Sequence, residues 1–186
     1  MLKIIKIGVG FAVFILLIAT ASFAYNRLMD RELQKQSGVL EPDHDRKEAA
    51  DFTMTDREGN TLTLHGIIEN GKPVVLNFWA SWCPPCRAEM PDFEKVYAEL
   101  GNEVQFIMLN LADGTRETKE IGIKFIDEQG YTFPVFFDSG KSGAVAYAVR
   151  TIPTTLFIDR DGYVVNRKQG LIKEDELKAF IEQIRF

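Results

Sequence analysis

Cysteine is scarce in this chain: Cys83 and Cys86 are the only two among 186 residues. Two cysteines three positions apart exclude the disulfide framework on which small secreted domains depend. Fourteen Phe, five Tyr and two Trp instead supply the apolar surface for an ordinary hydrophobic core. Because no cysteine precedes Cys83, an N-terminal lipid anchor is not expected either.

An excess of basic residues is also missing. The chain has 22 Lys and Arg against 27 Asp and Glu, and its formal net charge is −5. Phosphate binding needs clustered positive charge, so this composition excludes a general nucleic-acid binder. The charge is unevenly distributed, because residues 1–29 carry +3 and residues 30–186 carry −8. The two parts are therefore expected to face different surroundings.

Charged residues are absent from the twenty residues Ile7 to Asn26. At a rise of about 1.5 Å per residue they form a helix about 30 Å long, so residues 1–26 are predicted to be an N-terminal anchor with one transmembrane helix. Lys3 and Lys6 favour a cytoplasmic N-terminus, which places everything after Arg27 on the extracytoplasmic side of the cell membrane. The competing interpretation is a signal peptide cleaved at Ala19-Thr20-Ala21 or Ser22-Phe23-Ala24, and it exports the domain as well.

A polar segment, residues 27–50, is predicted to be a juxtamembrane linker that leads into a folded domain of residues 51–186. In that domain apolar runs alternate with helical periodicity, which predicts an α/β fold with a mixed central sheet flanked by helices. The predicted strands are an N-terminal hairpin of Phe52–Met54 and Leu62–Leu64, then Val74–Trp79, Val104–Leu109, Pro134–Phe137, and a second hairpin of Thr154–Ile158 and Tyr163–Asn166. The first predicted helix has an apolar face of Met90, Phe93, Val96, Tyr97 and Leu100. The second, Thr115–Gln129, is expected to bury Ile121, Phe125 and Ile126 and to end at Gly130. Two further helices are predicted at Ser142–Val149 and Glu174–Ile184.

The two cysteines form a C-x-x-C pair that follows a buried strand and opens a helix. Free N–H groups and the dipole at a helix N-terminus favour an anion, so we expect a lowered pKa for the Cys83 thiol. A Cys83 thiolate can attack a disulfide, and Cys86, one turn further on, can then resolve the mixed disulfide. Pro84 and Pro85 suit the first helical turn, but they remove N–H donors, which leaves the size of the pKa shift open.

The run VVLNFWASWCPPCRAEMP resembles that of the TlpA/ResA group of membrane-tethered thiol-disulfide oxidoreductases, and the resemblance covers residues 48–186. It implies a thioredoxin-like fold with a helix-strand insertion from about Asp113 to Asp138. Thr151-Ile152-Pro153-Thr154-Thr155 resembles the cis-proline loop of that fold. The Ile152–Pro153 bond is therefore expected to be cis, with the Ile152 backbone open to an extended substrate segment.

Two positions depart from the thioredoxin pattern. Thioredoxins carry a buried Asp where this chain has Asn77, and Asn cannot accept a proton. The ResA-like branch has a Glu three residues after the second cysteine, and Glu89 stands there. The resemblance implies that Glu89 tunes Cys86, and the alternative is an ordinary solvent-facing helix residue. Pro84-Pro85 matches neither the Gly-Pro nor the Glu-Pro of those relatives.

The resemblance implies an extracytoplasmic reductase of disulfides in exported proteins, which needs no cofactor. A thiol-carrying membrane protein would supply electrons, apocytochrome c in cytochrome c maturation is one typical substrate, and a monomer is expected. The expected site comprises Cys83, Cys86 and Glu89 for the chemistry and Trp82, Pro84, Pro85, Ile152 and Pro153 for substrate contact.

Three alternatives remain. An oxidase or isomerase would use the same residues at a different redox potential. A thiol peroxidase would need a Pro-x-x-x-Thr-x-x-Cys pattern, which this chain lacks. A copper-binding assembly factor would need a ligand beyond the two sulfurs; His44 and His65 are expected to be surface residues, and no metal site is predicted.

Overall fold

The computed structural model describes residues 20, 22, 23, 25, 27 and 47–185, and its strands form one mixed eight-stranded sheet. The strands are β1 Lys47–Glu48, β2 Thr53–Thr55, β3 Thr61–Thr63, β4 Val74–Trp79, β5 Gln105–Asn110, β6 Val135–Phe137, β7 Thr154–Ile158 and β8 Tyr163–Gln169. The helices within 47–185 are α1 Leu64–Ile68, α2 Pro84–Leu100, α3 Lys119–Gln129, α4 Ser142–Ala146 and α5 Glu174–Glu182.

The sheet has the order β1-β8-β7-β4-β5-β6-β2-β3. Strands β4, β5 and β6 run parallel, whereas β7 is antiparallel to β4 and β8 is antiparallel to β7. The predicted mixed sheet and both predicted hairpins are thereby confirmed. Strand β4 lies near the middle of the sheet, so the loop that follows it is supported by neighbours on both sides.

Strand β4 is buried on both faces, which explains its continuous apolar run. Alternate side chains point to opposite faces of a strand. Val75 and Trp79 pack in a cluster with apolar residues of α2, α3 and α5, whereas Leu76 and Phe78 pack in a second cluster with residues of α1. Asn77 shares the face of Val75 and Trp79, so it points toward the cluster that contains α2.

Helix α3 differs from its prediction at its start and on its buried face. It begins at Lys119, because the hydroxyl of Thr118 accepts a hydrogen bond from the N–H of Ile121 and caps it. Ile121 is 42% exposed, so its predicted inner position is wrong. Gly122 lies on the buried face instead. A Cβ at this position would lie only 3.0 Å from the Asn110 amide nitrogen, so the absence of a side chain allows the helix to approach Asn110 closely.

Two elements were not predicted. Helix α1 follows β3, where the Thr63 hydroxyl accepts a hydrogen bond from Gly66 N–H and caps a single apolar turn. Strand β1 pairs with β8 inside the segment predicted as linker, at Lys47↔Val164 and Glu48↔Tyr163. Both are too short for a hydrophobic period to reveal them.

The predicted transmembrane segment lies almost entirely outside the described residues. Within the described part of the chain, no helix has the length and apolar character that a membrane crossing requires.

Candidate active site at the start of helix α2

Cys83 lies where the chain leaves β4 and enters α2, as the sequence predicts. It is the N-cap of α2, and its Sγ accepts a hydrogen bond from the N–H of Cys86 at 3.3 Å. Pro84 and Pro85 occupy the first helical positions, where a missing N–H leaves no gap in the helix. Cys83 and Cys86 are joined in a disulfide, so the structure describes the oxidised state of the pair.

The two sulfurs differ in their surroundings. Cys83 is 2% exposed, and Cys86 is fully buried beneath it. The Cys83 Sγ also lies 3.7 Å from the carbonyl oxygen of Ile152. Cys83 is therefore the cysteine nearer the surface, and a reduced Cys83 thiol would have a ready acceptor in that carbonyl.

Ile152 and Pro153 lie in the loop directly before β7, the strand that pairs with β4. Its Ile152–Pro153 peptide bond is cis, as expected from the resemblance. The Thr154 hydroxyl donates to the Thr151 carbonyl at 2.7 Å and ties the two ends of the loop together. Pairing of β7 with β4 brings this loop beside the cysteines, although it follows Cys83 by about seventy residues in sequence.

Glu89 is fully buried, so its interpretation as a solvent-facing helix residue is wrong. Its two carboxylate oxygens accept hydrogen bonds from the Asn77 side-chain amide at 2.8 Å and from the Ile172 N–H at 3.0 Å. Burial disfavours the charged carboxylate and raises the pKa of Glu89 to about 7, although both hydrogen bonds oppose the rise. Glu89 can therefore bind or release a proton near neutral pH.

Asn77 has the structural hydrogen bonds that its buried position predicts. Besides Glu89, its side-chain amide donates to the Thr155 hydroxyl at 3.0 Å, and Thr155 lies opposite Asn77 in the β4–β7 register. Because Glu89 is one turn after Cys86 on the same helix, this network connects α2, the central strand and the strand after Pro153.

Glu117 is a site residue that the sequence did not reveal. It is fully buried and accepts hydrogen bonds from the Ser81 N–H at 3.0 Å, the Ser81 hydroxyl at 2.7 Å and the Asn110 side-chain amide at 2.6 Å. It thus anchors the loop that carries Trp82 and Cys83. Nothing in the spacing links a glutamate to a serine 36 residues earlier, so no sequence signal could have found it.

Trp79 and Trp82 have different surroundings. Trp79 is fully buried in the core, whereas Trp82 is 39% exposed next to the disulfide. The guanidinium carbon of Arg116 lies 3.7 Å from the centre of a Trp82 ring, and Trp82 lines a cleft together with Ile152. Trp82 thus borders the site, as predicted.

Pro84, Pro85 and His65 all lie on the surface, but only the two prolines are near the disulfide. Pro84 and Pro85 are exposed beside the disulfide, and Pro84 lines a second hollow together with Arg87 and Phe125. His65 is exposed on α1 with its Nε2 2.8 Å from the Ala49 carbonyl oxygen, which fits its expected place on the surface.

Comparison with known proteins identifies the family to which this fold and site belong. The sequence model of the AhpC/TSA family matches residues 46–167. Thiol-disulfide oxidoreductase ResA of Halalkalibacterium halodurans is 35% identical over 140 residues, which are 75% of this chain and 76% of the relative. The family match includes Cys83, Cys86, Glu89 and the Ile152–Pro153 loop.

Solved structures agree in fold. The crystal structure of StoA from Bacillus subtilis superposes with a TM-score of 0.61 at 30% identity. The superposition covers 70% of this chain and 96% of the StoA chain. A secreted Mycobacterium tuberculosis disulfide oxidoreductase homologous to E. coli DsbE superposes with a TM-score of 0.60 at 28% identity, covering 71% of this chain and 95% of its own. The chain therefore belongs to the AhpC/TSA family and is a thioredoxin-like thiol-disulfide oxidoreductase related to ResA.

Proposed function

We propose that this protein reduces disulfides in exported proteins by dithiol-disulfide exchange through Cys83 and Cys86. The observation that carries the proposal is the arrangement of the two sulfurs. Cys83 caps the N-terminus of α2 beside the Ile152 carbonyl, and Cys86 is buried one turn behind it. An N-terminal helix position stabilises a thiolate, which is the attacking species in disulfide exchange.

The reaction begins with both cysteines reduced. The Cys83 thiolate attacks one sulfur of the substrate disulfide, a mixed disulfide forms, and the other substrate sulfur leaves as a thiolate. Cys86 then loses its proton and attacks Cys83, which releases the second substrate sulfur and closes the Cys83–Cys86 bond. Two electrons pass from the protein to the substrate, the Cys86 proton passes to a base of the protein, and the two substrate thiolates take up their protons from water.

Glu89 is proposed to manage the proton of Cys86. As a carboxylate it accepts the proton when Cys86 attacks, and as an acid it returns that proton when the Cys83–Cys86 bond is reduced again. Its raised pKa of about 7, caused by burial, supports both roles, because each form is populated near neutral pH. Asn77 cannot titrate, and its amide positions the Glu89 carboxylate.

Substrate contact is assigned to the surface around Cys83. Trp82, Pro84 and Pro85 are exposed at the disulfide, and the Ile152–Pro153 loop lies against it. An extended substrate segment would pair with the backbone of Ile152 and present its cysteine to Cys83. Exported proteins such as apocytochrome c are suitable substrates, and a membrane protein with its own thiol pair is the proposed electron donor.

We further propose that residues 1–26 anchor the protein in the cell membrane and that residues 27–46 connect the anchor to an extracytoplasmic domain. The charge-free run of Ile7–Asn26 behind Lys3 and Lys6 supports this arrangement. The similar protein of Mycobacterium tuberculosis is secreted, which supports export of the domain.

The anchor can be tested by fractionating cells that express the full chain. We expect the protein to stay with the membranes after alkaline extraction and to become accessible to added protease when the cell wall is removed. The double variant Leu16→Lys with Leu17→Lys should lose membrane retention, because inserting charged side chains at the centre of a spanning helix costs several kcal/mol of free energy. Protein that lacks the residues up to Ala21 or Ala24 and is found in the soluble exported fraction would favour the cleaved signal instead.

The sulfur roles are tested with two serine variants of the full chain. Cys83→Ser should abolish reduction of a peptide disulfide, because the attacking thiolate is lost. Cys86→Ser should accumulate a mixed disulfide with the peptide, visible as a mass increase that dithiothreitol reverses. Full turnover by Cys86→Ser would show that Cys86 does not resolve the intermediate.

A further inference from the structure

A cleft of about 300 Å³ opens beside the disulfide. Its apolar walls include Trp82, Leu111, Val149 and Ile152. Ile152 is also the residue whose carbonyl oxygen lies 3.7 Å from the Cys83 Sγ. A peptide segment whose disulfide reaches Cys83 therefore lies next to this cleft and can place a side chain in it.

Cationic side chains border the cleft. Lys141 and Arg150 line it, and Arg116 stacks on the Trp82 ring at its edge. All three are exposed, and within residues 47–185 none of them forms an ion pair. Their positive charge is thus available to a bound molecule.

Asp113 is the one acidic side chain among the described residues that line the cleft. Its Oδ1 accepts hydrogen bonds from the N–H groups of Thr115, Arg116 and Glu117. These bonds lower the pKa of Asp113 to about 2, so its carboxylate is charged at neutral pH. The three cations Lys141, Arg150 and Arg116 outnumber this one negative charge. The cleft therefore has an excess of positive charge on a chain whose residues 30–186 carry −8.

We propose that this cleft selects substrate segments in which acidic side chains flank the disulfide cysteine and an apolar side chain adjoins it. This inference rests on the proposed function and names its substrate class. The acidic residues would meet Lys141, Arg150 and Arg116, while the apolar residue would enter the cleft between Trp82 and Val149. Charge complementarity of this kind increases the rate of productive encounter and excludes like-charged partners.

The test uses two peptides that each contain one disulfide and one central Leu and differ only in four flanking residues, Glu in one and Lys in the other. The full-length chain is reduced with dithiothreitol, desalted and mixed with each peptide at low ionic strength, and the rate constant of peptide reduction is measured. We expect the Glu peptide to react about tenfold faster, and the ratio to shrink toward one at high salt. The net charge of −5 alone would favour the Lys peptide. A faster Glu peptide would therefore show that the cationic rim of the cleft, formed by Lys141, Arg150 and Arg116, outweighs the overall charge.

Charge reversal at the rim gives the second arm. Lys141→Glu with Arg150→Glu should make the Lys peptide the faster substrate. The matched control is Lys47→Glu with Lys72→Glu, which changes the net charge by the same amount at two exposed lysines. Lys72 lies just before the start of β4, whereas the active site follows the end of this strand. The control should retain the preference for the Glu peptide.

Equal wild-type rates for the two peptides at low salt would overturn the inference, and this measurement needs no variant. Equal slowing of both peptides by the rim variant would also overturn it, because the rim charges would then act on the Cys83 thiolate and not on the substrate. Failure of the wild-type chain to reduce either peptide would instead overturn the proposed function itself.

Discussion

Asn77 and Glu89 are fully buried polar residues of the site, and they are hydrogen-bonded to each other. Asn77 stands where thioredoxins have a titrating Asp, and it holds the Glu89 carboxylate through a 2.8 Å hydrogen bond. In the proposed mechanism the proton-binding group therefore lies on helix α2, one turn after Cys86, and not on the central strand. Sequence predicted the position of Glu89, but its burial is a property of the packed helix.

Glu89 should make folding stability depend on pH. Its pKa is about 7 in the folded protein and 4.5 in an ordinary environment, so the folded state binds more protons between these values. Stability due to this group is therefore largest below pH 4.5, falls as pH rises, and is lost above pH 7. Relative to Glu89→Gln, the wild-type free energy of unfolding should fall by about 3 kcal/mol across this window.

Denaturant unfolding of the oxidised wild-type and Glu89→Gln chains at several pH values measures this difference. Glu174→Gln is a suitable control, because hydrogen bonding to Lys178 lowers the pKa of the half-buried Glu174, so the pH dependence of stability should have the opposite sign. Parallel stability curves for wild type and Glu89→Gln would contradict the prediction.

At the level of elements, the site depends on three segments that meet at the ends of strands. Helix α2 carries both cysteines, the loop before β7 carries Ile152 and Pro153, and the loop before α3 carries Arg116 and Glu117. The first segment was predictable in full, because a buried strand, a C-x-x-C pair and an amphipathic helix are adjacent in sequence. The third was not, because Glu117 contacts residues 7 and 36 positions away through a side chain that follows no periodicity.

Loss of the Glu117 side chain should loosen the loop that carries Trp82 and Cys83. Glu117→Ala leaves the Ser81 N–H, the Ser81 hydroxyl and the Asn110 amide without their acceptor, which should lower the free energy of unfolding by about 3 kcal/mol. Chemical denaturation measures the loss. Ser81→Ala removes only the hydroxyl bond and should cost about 1 kcal/mol, and equal stability of Glu117→Ala and wild type would rule out the anchoring role.

For the whole molecule, the redox potential decides the direction of electron flow. The same two cysteines can reduce or oxidise a substrate, depending on the potential of the pair relative to its partners. We expect the intact chain, equilibrated with thiol buffers and monitored by Trp fluorescence, to have a potential near or below about −270 mV. Trp82 lies next to the disulfide and should report its state.

A potential near about −120 mV would overturn the proposed direction and identify the protein as an oxidase or isomerase. The Cys83→Ser variant is the control for this titration, because it cannot form the disulfide and its fluorescence should not change with the thiol buffer. Either potential is compatible with the family, since the name thiol-disulfide oxidoreductase does not specify a direction of electron flow.

The sequence by itself determined the redox pair and the order of most strands and helices, and its resemblance to a known family located the proline loop. The redox pair and the order of elements depend on local chemistry: the alternation of side chains along a strand and the helix N-terminus. Only the tertiary structure decided that Glu89 is buried, that Glu117 anchors the active-site loop and that Arg116, Lys141 and Arg150 border one cleft. These features join residues far apart in the chain, and their proximity follows from strand pairing and packing, which leave no local pattern in the sequence.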